Sequence, residues 1–152
     1  MILWRISNYT DISGNGGLQA SGRWHTQGRK VVYCTTDPGL ALLEVLVHLE
    51  VDPEDLPQGF RWLKIAVPET VTRETVAALQ EGWRTDSGIT RARGDAWLRQ
   101  GSSALLFIPN AIVPEGQNVL LNPQAATAEQ CRVSAVMDYP LDPRLLASTG
   151  KS

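Results

Sequence analysis

The stretch that most constrains the fold covers residues 30–50, where a strand pattern leads directly into an apolar helix pattern. Val32 and Tyr33 are β-branched and aromatic, and with their neighbours they predict a short strand. Asp37 as the N-cap and Pro38 at the first helical position predict that a helix begins immediately afterwards. The pattern therefore predicts a strand that is followed directly by a helix.

The helix pattern at residues 40–49 is apolar except at Glu44 and His48. A helix that is apolar nearly all round is expected to be buried on most of its faces. A carboxylate there is costly unless it is protonated, paired with a cation or placed in a cleft where its charge is used. Since Glu44 and His48 are four residues apart, they share a helix face, and a structural pair is the favoured interpretation of His48.

The remaining patterns predict strands and helices in an irregular order. In the segment 60–67, Trp62 and Lys64 fall on one face of the predicted strand, and Leu63 and Ile65 fall on the other. Further strands are predicted at 2–6, 104–108, 119–121 and 131–139, an acidic loop at 51–57, and helices at 72–81 and 89–100, the latter interrupted by Gly94. This order predicts a mixed α/β (α+β) fold, with a central sheet and surrounding helices.

Composition narrows the class of protein. The 152 residues suit a single domain, predicted at 1–146 with a disordered tail at 147–152. No run is long and apolar enough to span a membrane, and no secretory signal is recognisable, so a cytoplasmic protein is expected. Cys34 and Cys131 show no paired spacing and are expected to be free thiols. The net charge of −2 argues against direct binding of nucleic acid.

Polar residues that could form a site are scattered along the chain. Arg23 follows Gly22, and it suits either a grip on a phosphate or stacking on a neighbouring Trp at the surface. The glycines of segment 13–17 suit either a turn or the approach of a phosphate. With two histidines and no clustered carboxylates, no metal site is predicted. The candidate site residues are Arg5, Arg23, His25, Tyr33, Glu44, His48, Ser102 and Ser103.

At these residues the sequence resembles the RES domain, the toxin half of bacterial RES–Xre toxin–antitoxin pairs. The resemblance covers most of the chain, and it rests on these motifs: Gly22-Arg23-Trp24, Gly28, Val32-Tyr33, 41–48, Trp97-Leu98, Ser103, Ile108-Pro109, Asn118 and Asn122-Pro123. It implies a fold like that of ADP-ribosyltransferases. It also implies a type II toxin that breaks the N-glycosidic bond of NAD, by hydrolysis or by transfer of ADP-ribose to an acceptor protein, with an Xre-type antitoxin as its partner.

The resemblance also implies roles for individual residues. Glu44, Arg23 and Tyr33 correspond to the catalytic residues, while Arg5, Arg23, Tyr33 and Ser103 would bind NAD. Many relatives read Pro-Ser after the late apolar strand, where this chain reads Pro109-Asn110.

The chemistry of the reaction agrees with a catalytic role for Glu44. Departure of nicotinamide leaves positive charge on the ribose, and a carboxylate such as Glu44 stabilises that charge. The alternative is a catalytically silent binding module of the same fold. A nuclease toxin has little support from the charge balance.

Overall fold

Strand-forming residues of the chain assemble into one mixed sheet. The structure is a computed structural model, and it describes residues 1–48 and 59–147. In these two ranges the strands are β1 (Ile2–Ser7), β2 (Val32–Thr35), β3 (Arg61–Ala66), β4 (Arg73–Thr75), β5 (Leu105–Pro109), β6 (Gln117–Leu121) and β7 (Arg132–Met137). The helices are α1 (Gly16–Gln19), α2 (Pro38–His48), α3 (Ser87–Gln100) and α4 (Arg144–Ala147), with a 3-10 turn at Ala128–Gln130.

The sheet has the strand order β4-β5-β6-β2-β1-β3-β7. Only the β4–β5 pair is parallel, and the other described pairs are antiparallel. This mixed sheet with few helices confirms the predicted fold class. The predicted loop at 51–57 and residues 148–152 of the predicted tail 147–152 lie outside the described residues.

Alternate residues of the central strands enter two separate apolar clusters. Leu105 and Leu121 belong to one cluster, and Leu106 and Leu120 belong to the other, which also contains Trp97 of α3. Because successive strand residues point to opposite faces, this part of the sheet is buried on both faces. In β3, Leu63 and Ile65 are fully buried and their neighbours are not, as the sequence pattern predicts. Both cysteines are buried free thiols, as expected.

Helix α2 begins where the sequence predicts, but its burial differs from the expectation. Gly39 donates its backbone N–H to Asp37 Oδ1 at 2.7 Å, so Asp37 caps the first turn. Only Ala41 is fully buried, however, and the side chain of Val47 is 57% exposed. The reason is that α2 packs against β1 and β2, and its opposite side is not covered by the described residues. Glu44 therefore lies at a partly open edge rather than in a buried wall.

Two sequence predictions about helices are wrong. Residues 72–81 do not form a helix: Arg73–Thr75 pairs with β5, and the Val76 N–H donates to Phe107 O at 2.9 Å. Pairing with a strand distant in the sequence overrides the local helix pattern there. The predicted interruption at Gly94 is also absent, because α3 continues from Ser87 to Gln100.

Gly94 instead permits close packing between α3 and the segment 22–26. A Cβ atom at Gly94 would lie 1.7 Å from the carbonyl oxygen of Trp24. Around this contact, three side chains of α3 bind the backbone of the segment: Thr90 donates to Arg23 O, Arg91 Nε donates to Gly22 O at 2.7 Å, and Asp95 Oδ1 accepts the Thr26 N–H at 2.9 Å. Helix α3 thereby fixes a segment that has no regular structure of its own.

We expect Gly94→Ala to lower the free energy of unfolding by roughly 1–3 kcal/mol, because the added methyl group must push the backbone of Trp24 away from α3. Thermal melting measures the change. Gly16→Ala is the matched control, since its added Cβ meets no atom within 4 Å. Equal melting temperatures for the two variants would contradict the close-packing explanation.

Candidate active site

A cleft of about 440 Å³ opens beside helix α2. Its walls come from β1, the segment 22–24, β2, α2 and the residues around the β5–β6 connection. The cleft is lined by Trp4, Arg5, Ile6, Gly22, Arg23, Trp24, Tyr33, Cys34, Thr35, Ala41, Glu44, Val45, Val47, His48, Phe60, Ile108, Pro109, Ala111, Ile112 and Asn118. Four of the five residues named for a role in the sequence analysis, Arg5, Arg23, Tyr33 and Glu44, therefore come together here.

Glu44 reaches the cleft from the middle of α2, and its side chain is 31% exposed. Its Oε1 atom accepts hydrogen bonds from Asn110 Nδ2 and Asn118 Nδ2, each at 3.1 Å. Its Oε2 atom lies 3.8 Å from His48 Nε2, which agrees with the predicted pairing of these two residues. The carboxylate is thus held at one oxygen by two neutral donors.

Asn110 binds Glu44, a contact that the sequence analysis did not predict. It is 3% exposed and begins the turn after β5, where its Oδ1 accepts the N–H groups of Ile112 and Val113 at 2.7 and 2.8 Å. Asparagine is favoured at such a turn because its side chain binds the backbone two or three residues further on. The Pro-Asn pair signalled the turn, but nothing in the sequence indicated the contact with Glu44.

The Tyr33 hydroxyl is bound from two sides. It accepts the Trp24 N–H at 3.0 Å, and it lies 2.7 Å from His25 Nδ1. His25 Nε2 faces the Gly17 carbonyl oxygen at 3.2 Å, and a carbonyl only accepts, so in the neutral imidazole Nε2 carries the proton and Nδ1 accepts from Tyr33. Burial raises the pKa of the Tyr33 phenol well above its usual value. Tyr33 therefore stays neutral, and its ring has a fixed position.

Glycine at position 22 is needed for this arrangement. A Cβ atom there would lie 2.4 Å from Tyr33 Oη and 3.1 Å from His25 Nδ1. The glycine of the Gly22-Arg23-Trp24 motif therefore leaves room for the Tyr33 hydroxyl.

Arg5 and Arg23 bring positive charge to the cleft. Arg23 is exposed and donates from Nη1 to the Arg84 carbonyl oxygen at 2.9 Å. Arg5 donates from Nη2 to Ser7 Oγ at 3.3 Å. Neither guanidinium forms an ion pair with a carboxylate among residues 1–48 and 59–147. Within this part of the chain, both retain donors for an anionic ligand.

The structure does not bring Ser103 to the cleft. Ser103 precedes β5, whereas the cleft is lined by Ile108 and Pro109 at the other end of that strand. Its hydroxyl accepts from Trp97 Nε1 at 2.9 Å and donates to Glu74 Oε2. The buried Ser103 hydroxyl therefore connects α3 with β4.

The glycine-rich segment 13–17 leads into helix α1, which includes Gly16 and Gly17. Gly14 has φ 78°, and a Cβ at Gly17 would lie 2.2 Å from the Arg29 carbonyl oxygen. Both glycines are therefore explained by tight packing. Among the described residues, no group of three or more His, Cys, Asp or Glu side chains could hold a metal ion, and no helix is long and apolar enough to cross a bilayer.

A carboxylate, a tyrosine ring and two arginines in one cleft of a mixed sheet agree with the motifs quoted from the sequence. The RES domain family model matches residues 2–142, so the chain belongs to the RES domain family, and the predicted resemblance is confirmed.

Two named relatives are similar to this chain over nearly their whole length. Toxin Res of Pseudomonas putida is 50% identical over 145 residues, which cover 95% of this chain and 99% of that protein. The Prs ADP-ribosylating toxin of a Sphingobium species is 32% identical over 155 residues, covering 94% of this chain and 95% of that protein.

A solved structure has the same fold. It is the crystal structure of the M. tuberculosis MbcT–MbcA toxin–antitoxin complex, one chain of which superposes with a TM-score of 0.71. The match covers 97% of this chain and 87% of that chain at 16% sequence identity. At this identity the likeness concerns the fold.

We expect the free energy of unfolding to fall as the pH rises past about 10, the ordinary pKa of tyrosine. Above that pH the unfolded Tyr33 ionises, whereas the folded phenol keeps its proton because its pKa is raised by burial. The contribution is complete below the unfolded pKa and is lost as the pH approaches the folded pKa. Urea unfolding at several pH values measures the slope, and Tyr33→Phe is expected to have a shallower slope. Parallel slopes would contradict the assignment.

Proposed function

We propose that this chain is the toxin of a type II, RES-type toxin–antitoxin pair, and that it breaks the N-glycosidic bond of NAD. The observation that carries the proposal is the cleft in which Glu44, held by two amide donors, lies with Tyr33 and two arginines. The volume of the cleft falls within the range of sites for small molecules.

In the proposed reaction, Glu44 acts on the charge that develops in the transition state. Departure of nicotinamide leaves positive charge on the ribose, and a carboxylate near the 2′-hydroxyl stabilises that charge. Because Glu44 is already hydrogen-bonded at Oε1, it needs little reorganisation when the charge appears. A residue of this kind lowers the barrier more than it strengthens substrate binding.

The other cleft residues are assigned to binding. Arg23, with Arg5, would hold the pyrophosphate through charge-assisted hydrogen bonds. The rigid ring of Tyr33 would pack against the nicotinamide. Ser103 has no part in this assignment, because its hydroxyl is engaged at the other end of β5.

Whether ADP-ribose passes to water or to a protein defines two variants of the proposal. One relative is named an ADP-ribosylating toxin, which favours testing transfer directly. Purified protein is incubated with labelled NAD and a cell lysate. Label on a protein band supports transfer, and label recovered only as free ADP-ribose supports hydrolysis.

The catalytically silent binding module remains the competing proposal. The two hydrogen bonds from asparagines to Glu44 favour catalysis, because a silent module has no need of a prepared carboxylate at the cleft. Absence of nicotinamide release by the wild-type protein would favour the silent module.

We expect Glu44→Gln to reduce nicotinamide release by about 10²-fold or more, because it removes the charge that stabilises the transition state while it preserves the side-chain volume. The glutamine oxygen can still accept from both asparagines, so the melting temperature should change little. Release is followed with purified protein and NAD. Glu129→Gln, an exposed residue outside the cleft, is the matched control, and wild-type turnover in Glu44→Gln would eliminate Glu44 as the catalytic group.

The proposed partner is an Xre-type antitoxin that covers the cleft. The rim of the cleft contains Val47 and Ile112, which are 57% and 41% exposed. A partner segment with apolar side chains could bury this rim, and a carboxylate on it could pair with Arg23 in place of a phosphate. The solved toxin–antitoxin complex of the same fold supports the pairing of this fold with an antitoxin.

We expect expression of the free protein to arrest growth and co-expression with its cognate antitoxin to restore it. The purified complex should release no nicotinamide, because a segment of the antitoxin occupies the cleft. Arg23→Ala, made in the Glu44→Gln background to avoid toxicity, should weaken the complex relative to Glu44→Gln alone. A complex that is as active as the free protein would overturn the occlusion mechanism.

A further inference from the structure

We propose that Asn110 and Asn118 are positioning residues that together form an amide clamp on Glu44, and that Glu44 Oε2 is the oxygen presented to the substrate. The proposal rests on the catalytic role given to Glu44 above. It assigns different tasks to the two carboxylate oxygens and gives Asn110 the task of joining the turn after β5 to Glu44.

The direction of the Asn110 amide is fixed by its own turn. Its Oδ1 atom lies 2.7 Å from the Ile112 nitrogen and 2.8 Å from the Val113 nitrogen. Backbone N–H groups only donate, so the oxygen must face them. The Nδ2 group is therefore directed to Glu44 Oε1 at 3.1 Å and to Asn118 Oδ1 at 3.0 Å.

The direction of the second amide follows from the first. Because Asn118 Oδ1 accepts from Asn110, its Nδ2 must be the atom that lies 3.1 Å from Glu44 Oε1. Asn118 belongs to β6, where it is paired with Thr35 of β2 and with Ile108 of β5. The clamp is thus attached to the middle of the sheet.

The two carboxylate oxygens of Glu44 have different numbers of hydrogen-bond donors. Oε1 receives two amide hydrogen bonds, whereas Oε2 has, in the described part of the chain, only His48 Nε2 at 3.8 Å. That distance is too long for a hydrogen bond. Oε2 therefore keeps its acceptor capacity, and the clamp prevents rotation of the carboxylate away from the substrate.

The length of the asparagine side chain explains its use at position 110. One atom of its amide binds the turn 110–113, and the other binds Glu44, so the residue joins the turn to α2. A serine side chain is shorter and carries its donor and its acceptors on one oxygen atom, so it cannot bind the turn and Glu44 from two separate atoms.

Asn110→Asp is designed to remove the hydrogen bond to Glu44 while it keeps the hydrogen bonds within the turn. An aspartate keeps an oxygen for the Ile112 and Val113 N–H groups, but it replaces the donor to Glu44 by an acceptor of like charge. We expect kcat for nicotinamide release to fall by about 10²-fold, with KM changed by less than about threefold and the fold retained. Asn15→Asp is the matched control, because Asn15 is exposed and its side chain makes no capping hydrogen bond.

Asn118→Ala provides a second variant with the same expected loss of kcat, in case Asn110→Asp fails to fold. Wild-type kcat in either folded variant would overturn the clamp, since a residue needed only for folding changes the melting temperature without a selective loss of kcat.

A measurement without substrate separates this proposal from the proposed function. The chain has five asparagines, so its side-chain amide signals can be assigned in protein labelled with ¹⁵N-asparagine. Glu44→Ala should shift the NH₂ signals of Asn110 and Asn118 and leave those of Asn8, Asn15 and Asn122 in place. Unchanged signals would overturn the clamp even if NAD is cleaved. Shifted signals in a protein that releases no nicotinamide would support the clamp and refute the enzymatic role.

Discussion

The hydrogen bonds from Asn110 and Asn118 to Glu44 join the parts of the molecule that enclose the cleft. Helix α2 has a single fully buried residue, so apolar packing alone leaves it weakly attached to the sheet. The two amides connect it to the turn after β5 and to β6. A polar contact at the cleft therefore also serves as a tertiary contact, and the geometry of the site and the position of α2 depend on each other.

The opposite wall of the cleft is held in place by contacts of another kind. Segment 22–26 has little regular structure, and α3 holds it through contacts of side chains with its backbone carbonyl and N–H groups. The contacts with Gly22 and Arg23 go to backbone carbonyl oxygens and leave the side chain of Arg23 outside them. Arg23 is consequently placed by its main chain, and its exposed side chain lines the cleft and donates to the Arg84 carbonyl oxygen.

The sequence was informative where local chemistry decides the structure. The alternation in β3 and the Asp37 cap of α2 depend on neighbouring residues, and both are found as expected. The helix prediction for residues 72–81 failed because Arg73–Thr75 pair with β5, which lies about thirty residues further along the sequence. The grouping of Arg5, Arg23, Tyr33 and Glu44 came from the family resemblance. Asn110 was seen only as a departure from that family, since its contact with Glu44 spans 66 positions.

The directed hydrogen bonds around Tyr33 exclude its phenol as the acid that protonates a leaving group. The phenol proton is committed to His25, and the phenol oxygen is already an acceptor for Trp24. Tyr33 therefore has no proton to give to a departing group. Ordinary glycosides leave as alkoxides and need an acid. A pyridinium base carries its charge beforehand and departs neutral, so the proposed reaction needs no acid from Tyr33.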